Sequence, residues 1–128
     1  LNKKMSEEKP KTKTIAFDFD GVIAKYSGFI SKDHKEEPIE ETVKAIKLLK
    51  EKGFNILIHS SRGDEFLKSY LEERNIPYDY INHNPNKQGD NPGKPLAFVY
   101  VDDRAICFKG QSAENLVEEI VNFKAHWE

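Results

Sequence analysis

Two aspartates stand one residue apart at the end of an apolar run, in the segment Thr14-Ile15-Ala16-Phe17-Asp18-Phe19-Asp20-Gly21-Val22. A β-branched and aromatic run of this kind predicts a buried strand. Because side chains alternate along a strand, we expect Asp18 and Asp20 on the same side. Gly21 accepts either sign of φ and lets the backbone turn away sharply.

Two carboxylates held together repel one another, which raises the proton affinity of one of them. A hard divalent cation, which prefers oxygen ligands, relieves that repulsion. Open α/β sheets bind ligands at the carboxyl ends of their strands. The pair therefore predicts a magnesium site at the end of the first strand, although a lone Asp-x-Asp is as often a turn with incidental acids.

Strand and helix signals alternate along the chain, which predicts an α/β fold with a parallel sheet and helices on its faces. Further strands are predicted at 54–59, 78–82, 96–101 and 105–108. Helices are predicted to begin with Pro38 in a first turn, after Asp64 and after Ser112. A strand order of 5-4-1-2-3 would bring the ends of the first and fourth strands together, but periodicity alone does not establish that order.

Apolar spacing in the last helix predicts a face turned toward the core. That face consists of Leu116, Val117, Ile120 and Val121. Cys107 lies in the predicted fifth strand and is expected to behave as a small buried hydrophobe. Trp127 is expected either to pack on the core or to lie in a subunit contact.

Length and composition limit the possible functions. The 128 residues fit one domain, predicted over 14–128, after a polar and disordered tail at 1–13. A formal net charge of -2 gives no dedicated nucleic-acid or membrane-binding patch. One cysteine excludes an internal disulfide and a multi-cysteine metal cluster. With neither a signal peptide nor a membrane span evident, a cytoplasmic protein is the simplest interpretation, and whether residues 1–4 are native stays open.

The segment Asp18-Phe19-Asp20-Gly21-Val22 resembles the first motif of the haloacid dehalogenase-like (HAD) superfamily of phosphohydrolases. Ser60-Ser61-Arg62 is similar to the second motif, Lys94 to the third, and Asp102-Asp103 to the fourth. These pieces follow the superfamily's order from Thr14 to about Phe123. The resemblance implies a single Rossmann-like three-layer sandwich.

The resemblance also implies a magnesium-dependent phosphatase that acts through an aspartyl-phosphate. Asp18 would be the nucleophile, and Asp20 would protonate the leaving group and then activate water. Phosphate binding would fall to Ser60, Ser61 and Lys94, and Mg²⁺ binding to Asp18, Asp20 (through its backbone carbonyl), Asp102 and Asp103. Spacing favours Ser60 over Ser61 and Lys94 over Lys87, and leaves open which acid of the last pair is the direct ligand.

No interval between the motifs is long enough for a cap domain, so the resemblance is to small, capless (C0-type) members. An open site favours a large phosphorylated substrate, such as a macromolecular end, or a pocket completed by a homo-oligomer. Tyr26 and Phe29 would then contribute to specificity. Arg62 and Arg104 would bind a second anionic group of the substrate or form structural ion pairs.

Three other functions compete with the phosphatase. A receiver-like signalling domain uses similar groups but places its acids after different strands. A sugar-nucleotide transferase also uses Asp-x-Asp but leaves Ser60, Lys94 and Asp102 unexplained. A catalytically silent phosphate- or Mg²⁺-binding module is disfavoured because both Asp18 and Asp20 are present.

Overall fold

The fold is described from a computed structural model over residues 13–85 and 93–128. Four strands and three helices alternate along this part of the chain, which is the pattern of an α/β protein. In chain order they are β1 (Thr14–Asp18), α1 (Glu40–Glu51), β2 (Asn55–His59), α2 (Asp64–Glu73), β3 (Tyr80–Ile81), β4 (Val99–Val101) and α3 (Ala113–Val121).

The strands form one sheet in the order β3-β2-β1-β4, and every neighbouring pair is parallel. In the register, Asp18 at the end of β1 lies beside His59 of β2, and Phe17 lies beside Val101 of β4. The predicted α/β class and the adjacency of the first and fourth strands are confirmed. The carboxyl ends of β1, β2 and β4 therefore meet at one edge of the sheet.

The predicted fifth strand at 105–108 does not form in the structure. Phe108 is 68% exposed and Cys107 is also exposed, so neither side chain has the packed environment that a buried strand needs. The interpretation of Cys107 as a buried hydrophobe is therefore wrong. Only four strands are found among the described residues, and the order 5-4-1-2-3 is not confirmed.

The core lies between the sheet and the helices α1 and α2. Apolar side chains of β1 and β2 pack there against Ile46 of α1 and against one face of α2. The members from the two strands are Ile15, Phe17, Ile56 and Ile58, and those from α2 are Leu67, Tyr70 and Leu71. This packing fixes the two central strands, and with them the positions of the residues that follow each strand.

The predicted starts of the three helices agree with the structure only in part. The Ser112 hydroxyl accepts a hydrogen bond from the Asn115 amide at 3.2 Å, which confirms it as the N-cap of α3. The N-cap of α2 is Gly63, and Asp64 is the first helical residue instead. Pro38 precedes α1 and forms an isolated bridge with Ala24 rather than sitting in the first turn.

The predicted inward face of α3 is also wrong. Val117, Ile120 and Val121 are 58%, 56% and 75% exposed, and no α3 residue is buried. Apolar spacing shows that the helix is amphipathic but does not identify what its apolar face contacts.

Several sequence predictions fall outside the described residues. These are the tail up to residue 12 and Lys87, the rival to Lys94. Of the tail, only Lys13 is described, and its carbonyl accepts a hydrogen bond from the Asn55 amide at 2.9 Å. Within the described ranges, no helix is both long and apolar enough to cross a membrane.

Candidate active site

Three carboxylates meet at the carboxyl edge of the sheet. Asp18 ends β1, and Asp102 and Asp103 follow β4, the parallel neighbour of β1. One oxygen from each lies within 4.8 Å of the other two, a spacing at which a single cation can be shared. Oxygen ligands of this kind suit Mg²⁺ or Ca²⁺.

The Asp18 carboxyl is strongly perturbed by this setting. Its pKa is raised from an ordinary value of 3.8 to about 7. Burial is the largest cause, followed by a hydrogen bond shared with Asp103, and the negative charges of Asp102 and Asp103 add to it. A hydrogen bond of 2.8 Å from the Phe19 amide to Oδ1 acts in the opposite direction. Without a cation, the cluster therefore holds a proton near neutral pH.

Asp103 has two unequal oxygens. Its Oδ2 accepts a hydrogen bond from the indole Nε1 of Trp127 at 2.5 Å. Its Oδ1 is buried and, once Asp18 has lost the proton that the two acids share, has no hydrogen-bond partner among the described residues. A buried carboxylate oxygen without a partner is costly, and a cation would relieve that cost. The donor set and this orphan oxygen both fit a magnesium ion.

Asp20 does not join the three carboxylates. Its Oδ1 and Oδ2 accept hydrogen bonds from Arg62 Nη2 and Nε, at 3.0 and 3.1 Å. Because β1 ends at Asp18, strand alternation does not set the direction of the Asp20 side chain. Beyond that point the Phe19 carbonyl accepts from the amides of residues 22, 23 and 24, which makes a tight turn. Of the two predicted roles for Arg62, the structure contains the ion pair.

The second motif follows β2 and is held by its neighbours. The Ser60 amide donates to Asn82 Oδ1 at 2.9 Å, and the Ser60 hydroxyl accepts from the Arg62 amide at 3.1 Å. The second bond engages a lone pair of the hydroxyl, so its O–H can still donate to a ligand. Ser61 is exposed and lines a cavity beside Asp20.

Lys94 lies near Asp102 but does not pair with Asp18. Its Nζ is 4.5 Å from the ring centre of Tyr100, and among the described residues it forms no ion pair with Asp18. It lines a cleft of about 650 Å³ together with His59 and Asp102. Burial, with a smaller contribution from the Lys94 charge, lowers the pKa of His59. His59 packs edge-on against Tyr100, at 6.5 Å between ring centres.

Residues 25–37, which we call the flap, lie next to Asp20 and line a cavity together with it. The flap ends are joined by a hydrogen bond from the Lys25 amide to the Glu37 carbonyl at 2.9 Å. Arg62 Nη1 donates to the carbonyls of Lys32 and His34, at 2.9 and 2.7 Å. One guanidinium thus holds both the flap and Asp20.

A cavity of about 140 Å³ lies between the flap and Asp20. Tyr26 and Phe29, the predicted specificity residues, both line it. Phe29 is 76% exposed, so most of its ring faces solvent and is available for contact with a substrate.

Sequence reasoning missed the carboxyl-terminal side of the site. The His126 Nε2 donates to the Gly21 carbonyl at 2.6 Å, and Trp127 binds Asp103. Arg104, predicted to bind an anion or a carboxylate, instead has its guanidinium 4.8 Å from the centre of the Trp127 ring. A lone tryptophan near a charged segment was the only sequence signal for these contacts.

The raised pKa of Asp18 predicts how stability depends on pH in the absence of divalent cations. Between pH 3.8 and about 7 the folded chain holds a proton that the unfolded chain has released. This contribution to the free energy of unfolding is therefore fully present below pH 3.8 and is lost as pH rises through about 7. Urea unfolding in EDTA should show it as the difference between the wild type and Asp18→Asn. An unchanged difference from pH 4.5 to 8 would contradict the shared proton.

Comparison with protein-family models finds no matching family, and comparison with curated proteins finds no matching relative. Among solved structures, the chain is similar to a conserved protein coded by a locus of Bacteroides thetaiotaomicron, at 25% identity and a TM-score of 0.62. The similarity covers 87% of this chain and 90% of that protein. It supports an α/β fold over nearly the whole length of both chains and assigns no activity to either.

Proposed function

We propose that this protein is a magnesium-dependent phosphomonoester hydrolase, a capless phosphatase of the HAD-like superfamily. The observation that carries the proposal is the meeting of Asp18, Asp102 and Asp103 within 4.8 Å at the ends of two adjacent parallel strands. Ser60 follows β2, whose carboxyl end lies at the same edge of the sheet as those of β1 and β4, and Lys94 lines a cleft together with Asp102. The family also implies a fifth strand in the order 5-4-1-2-3, of which the described residues contain 4-1-2-3.

Asp18, Asp102 and Asp103 would hold the ion, with the Asp20 carbonyl as a further ligand. A bound Mg²⁺ offsets the negative charge of these carboxylates and of the phosphoryl group. The orphan Oδ1 of Asp103 supports the assignment because it otherwise lacks a partner. Loss of the proton from Asp18 leaves the anionic form that a nucleophile requires.

In the first step, an Asp18 oxygen attacks phosphorus and the bond from phosphorus to the ester oxygen breaks. Asp20 gives a proton to the departing alkoxide. In the second step, Asp20 takes a proton from water, which attacks phosphorus and regenerates Asp18 with release of phosphate. The Ser60 and Ser61 hydroxyls and the Lys94 ammonium would bind phosphoryl oxygens throughout.

Asp20 must lose its ion pair with Arg62 and take up a proton from solvent before the first step, because both of its oxygens accept hydrogen bonds from Arg62. That pair is the observation that favours a second candidate, a phosphate- or Mg²⁺-binding module without turnover. In such a module the ion pair would be permanent. In the phosphatase, substrate binding would displace Arg62 from at least one oxygen.

The flap replaces a cap in this proposal. Tyr26 and Phe29 would contact the group attached to the phosphate, since both line the cavity beside Asp20. The chain between Gly21 and α1 holds no helix, which leaves the site open to a large phosphorylated substrate or to a second subunit. The substrate class is thus a phosphate monoester on a small molecule or on a macromolecular end.

A panel of phosphate monoesters, assayed for released phosphate with Mg²⁺ and with EDTA, tests the function. We expect many turnovers per protein molecule on at least one ester with Mg²⁺, and none with EDTA. The panel should include a chromogenic ester, sugar phosphates, nucleotides, phosphorylated oligonucleotide ends and phosphopeptides. Cation binding without turnover on any of them would favour the silent module instead.

A further inference from the structure

The segment formed by residues 125–127 lies directly on the acidic cluster. Ala125 is buried, His126 donates to the Gly21 carbonyl at 2.6 Å, and Trp127 donates to Asp103 at 2.5 Å. These contacts join the segment to the turn after β1 and to the acid after β4. Residues distant in sequence from every motif thus take part in the site.

The hydrogen bond from the Trp127 indole makes the two oxygens of the Asp103 carboxylate different. Trp127 engages Oδ2, so the other oxygen, Oδ1, is the one left for a cation. An indole donates a hydrogen bond and accepts none, so it holds the carboxylate as an acceptor in one orientation. Partners of this kind commonly fix the orientation of metal ligands.

Trp127 is itself held from two sides. The Tyr26 ring, from the flap, packs edge-on against it with 4.8 Å between ring centres. The Arg104 guanidinium lies 4.8 Å from the ring centre on another side, where a cation is attracted to the aromatic face. These two contacts hold the indole in one position, and its hydrogen bond in turn orients the Asp103 carboxylate.

Gly21 completes the arrangement. A Cβ at this residue would overlap Asp103 Oδ2 and lie 2.8 Å from Trp127 Nε1. The hydrogen-bonded pair thus occupies space that only a glycine leaves open.

We infer that Trp127 is a positioning residue for the metal site, which orients Asp103 for cation binding and links that ligand to the flap. The inference rests on the proposed function, because it assumes that the cluster binds Mg²⁺. Trp127 touches neither substrate nor phosphorus in this role. It acts only through Asp103.

The test compares cation affinity in the wild type and in Trp127→Phe, by calorimetric titration with Mg²⁺. Phenylalanine keeps an aromatic ring for Tyr26 and Arg104 but removes the N–H. Loss of such a partner typically weakens metal binding 10–100-fold, so we expect a rise in Kd of about that size. Circular dichroism in EDTA checks that the variant is folded.

A second measurement uses the wild type alone and does not depend on a variant that folds. Trp127 is the single tryptophan of the chain, so indole-sensitised Tb³⁺ luminescence reports an ion close to that ring. We expect strong sensitised emission that excess Mg²⁺ displaces. Tyr26→Phe is the matched control, since it retains the ring that packs on Trp127 and should keep the emission.

The outcomes separate the two proposals. An unchanged Mg²⁺ Kd in folded Trp127→Phe overturns the inference and leaves the phosphatase standing. Calorimetric binding without sensitised emission places the ion elsewhere and also overturns the inference. No Mg²⁺ binding by the wild type overturns the metal site of the proposed function, and the role of Trp127 with it.

Discussion

Replacing Asp18 by asparagine is expected to abolish phosphate release, with a loss on the order of 10³-fold or more. The amide has the shape of the carboxylate but neither the charge nor the nucleophilic oxygen needed to form an acyl-phosphate. Steady-state release from the best ester with Mg²⁺ measures the effect. The folded state should not be destabilised, because the substitution removes an acid with a raised pKa from a partly buried, negatively charged cluster.

Asp33→Asn is the matched control for charge and size. Asp33 is an exposed aspartate of the flap, so its amide variant should retain activity. Release that survives Asp18→Asn at the wild-type rate would remove the proposed nucleophile. Loss in both variants would mean that the flap, rather than the nucleophile, explains the defect.

Gly21→Ala is expected to lower both stability and activity. Gly21 has a φ of +82°, and positive φ costs an alanine about 1–2 kcal/mol. The added Cβ also collides with Asp103 and approaches Trp127, so the Asp103 side chain has to move. Because misplacement of a catalytic group by about 1 Å costs about a hundredfold, we expect a loss of that order in phosphate release.

Gly110→Ala separates the clash from the backbone strain. Gly110 has the same φ of +82°, but a Cβ there meets nothing within 4 Å. It should show the loss of about 1–2 kcal/mol in urea unfolding and keep its activity and Mg²⁺ affinity. Equal behaviour of the two variants in both measurements would contradict the close packing at Gly21.

The strand ends that carry the acidic cluster could be predicted from the sequence. Apolar runs ending in Asp18 and in Asp102-Asp103 predict two strands, and a parallel sheet places their carboxyl ends at a common edge. The predicted adjacency of these strands is found in the register of Phe17 with Val101. Local pattern predicts the two strand ends because each acid follows its strand directly, whereas the strand order that makes those ends neighbours is not established by periodicity.

The direction of the Asp20 side chain could not be predicted from the sequence. Alternation of side chains applies only within a strand, and β1 ends at Asp18. In the turn that follows, the direction of a side chain depends on its partner. That partner is Arg62, which lies 42 residues away in the sequence.

The same limit applies to the last helix and to Trp127. Spacing predicts an apolar face on α3 but cannot say what covers it, and Val121 is 75% exposed. The residues around Trp127 carry no pattern that predicts its hydrogen bond to Asp103, because this contact depends on the path of the chain after α3. Long-range contacts between irregular segments leave no periodic signal.

Arg62 donates hydrogen bonds both to Asp20 and to the flap. The same guanidinium binds Asp20 and the carbonyls of Lys32 and His34, so movement of this one side chain changes the hydrogen bonds of Asp20 and of the flap together. In the proposed phosphatase, opening of the flap and release of the Asp20 carboxylate would thus be coupled through Arg62. A substrate that leaves Arg62 in place would meet an Asp20 side chain whose two oxygens are both occupied.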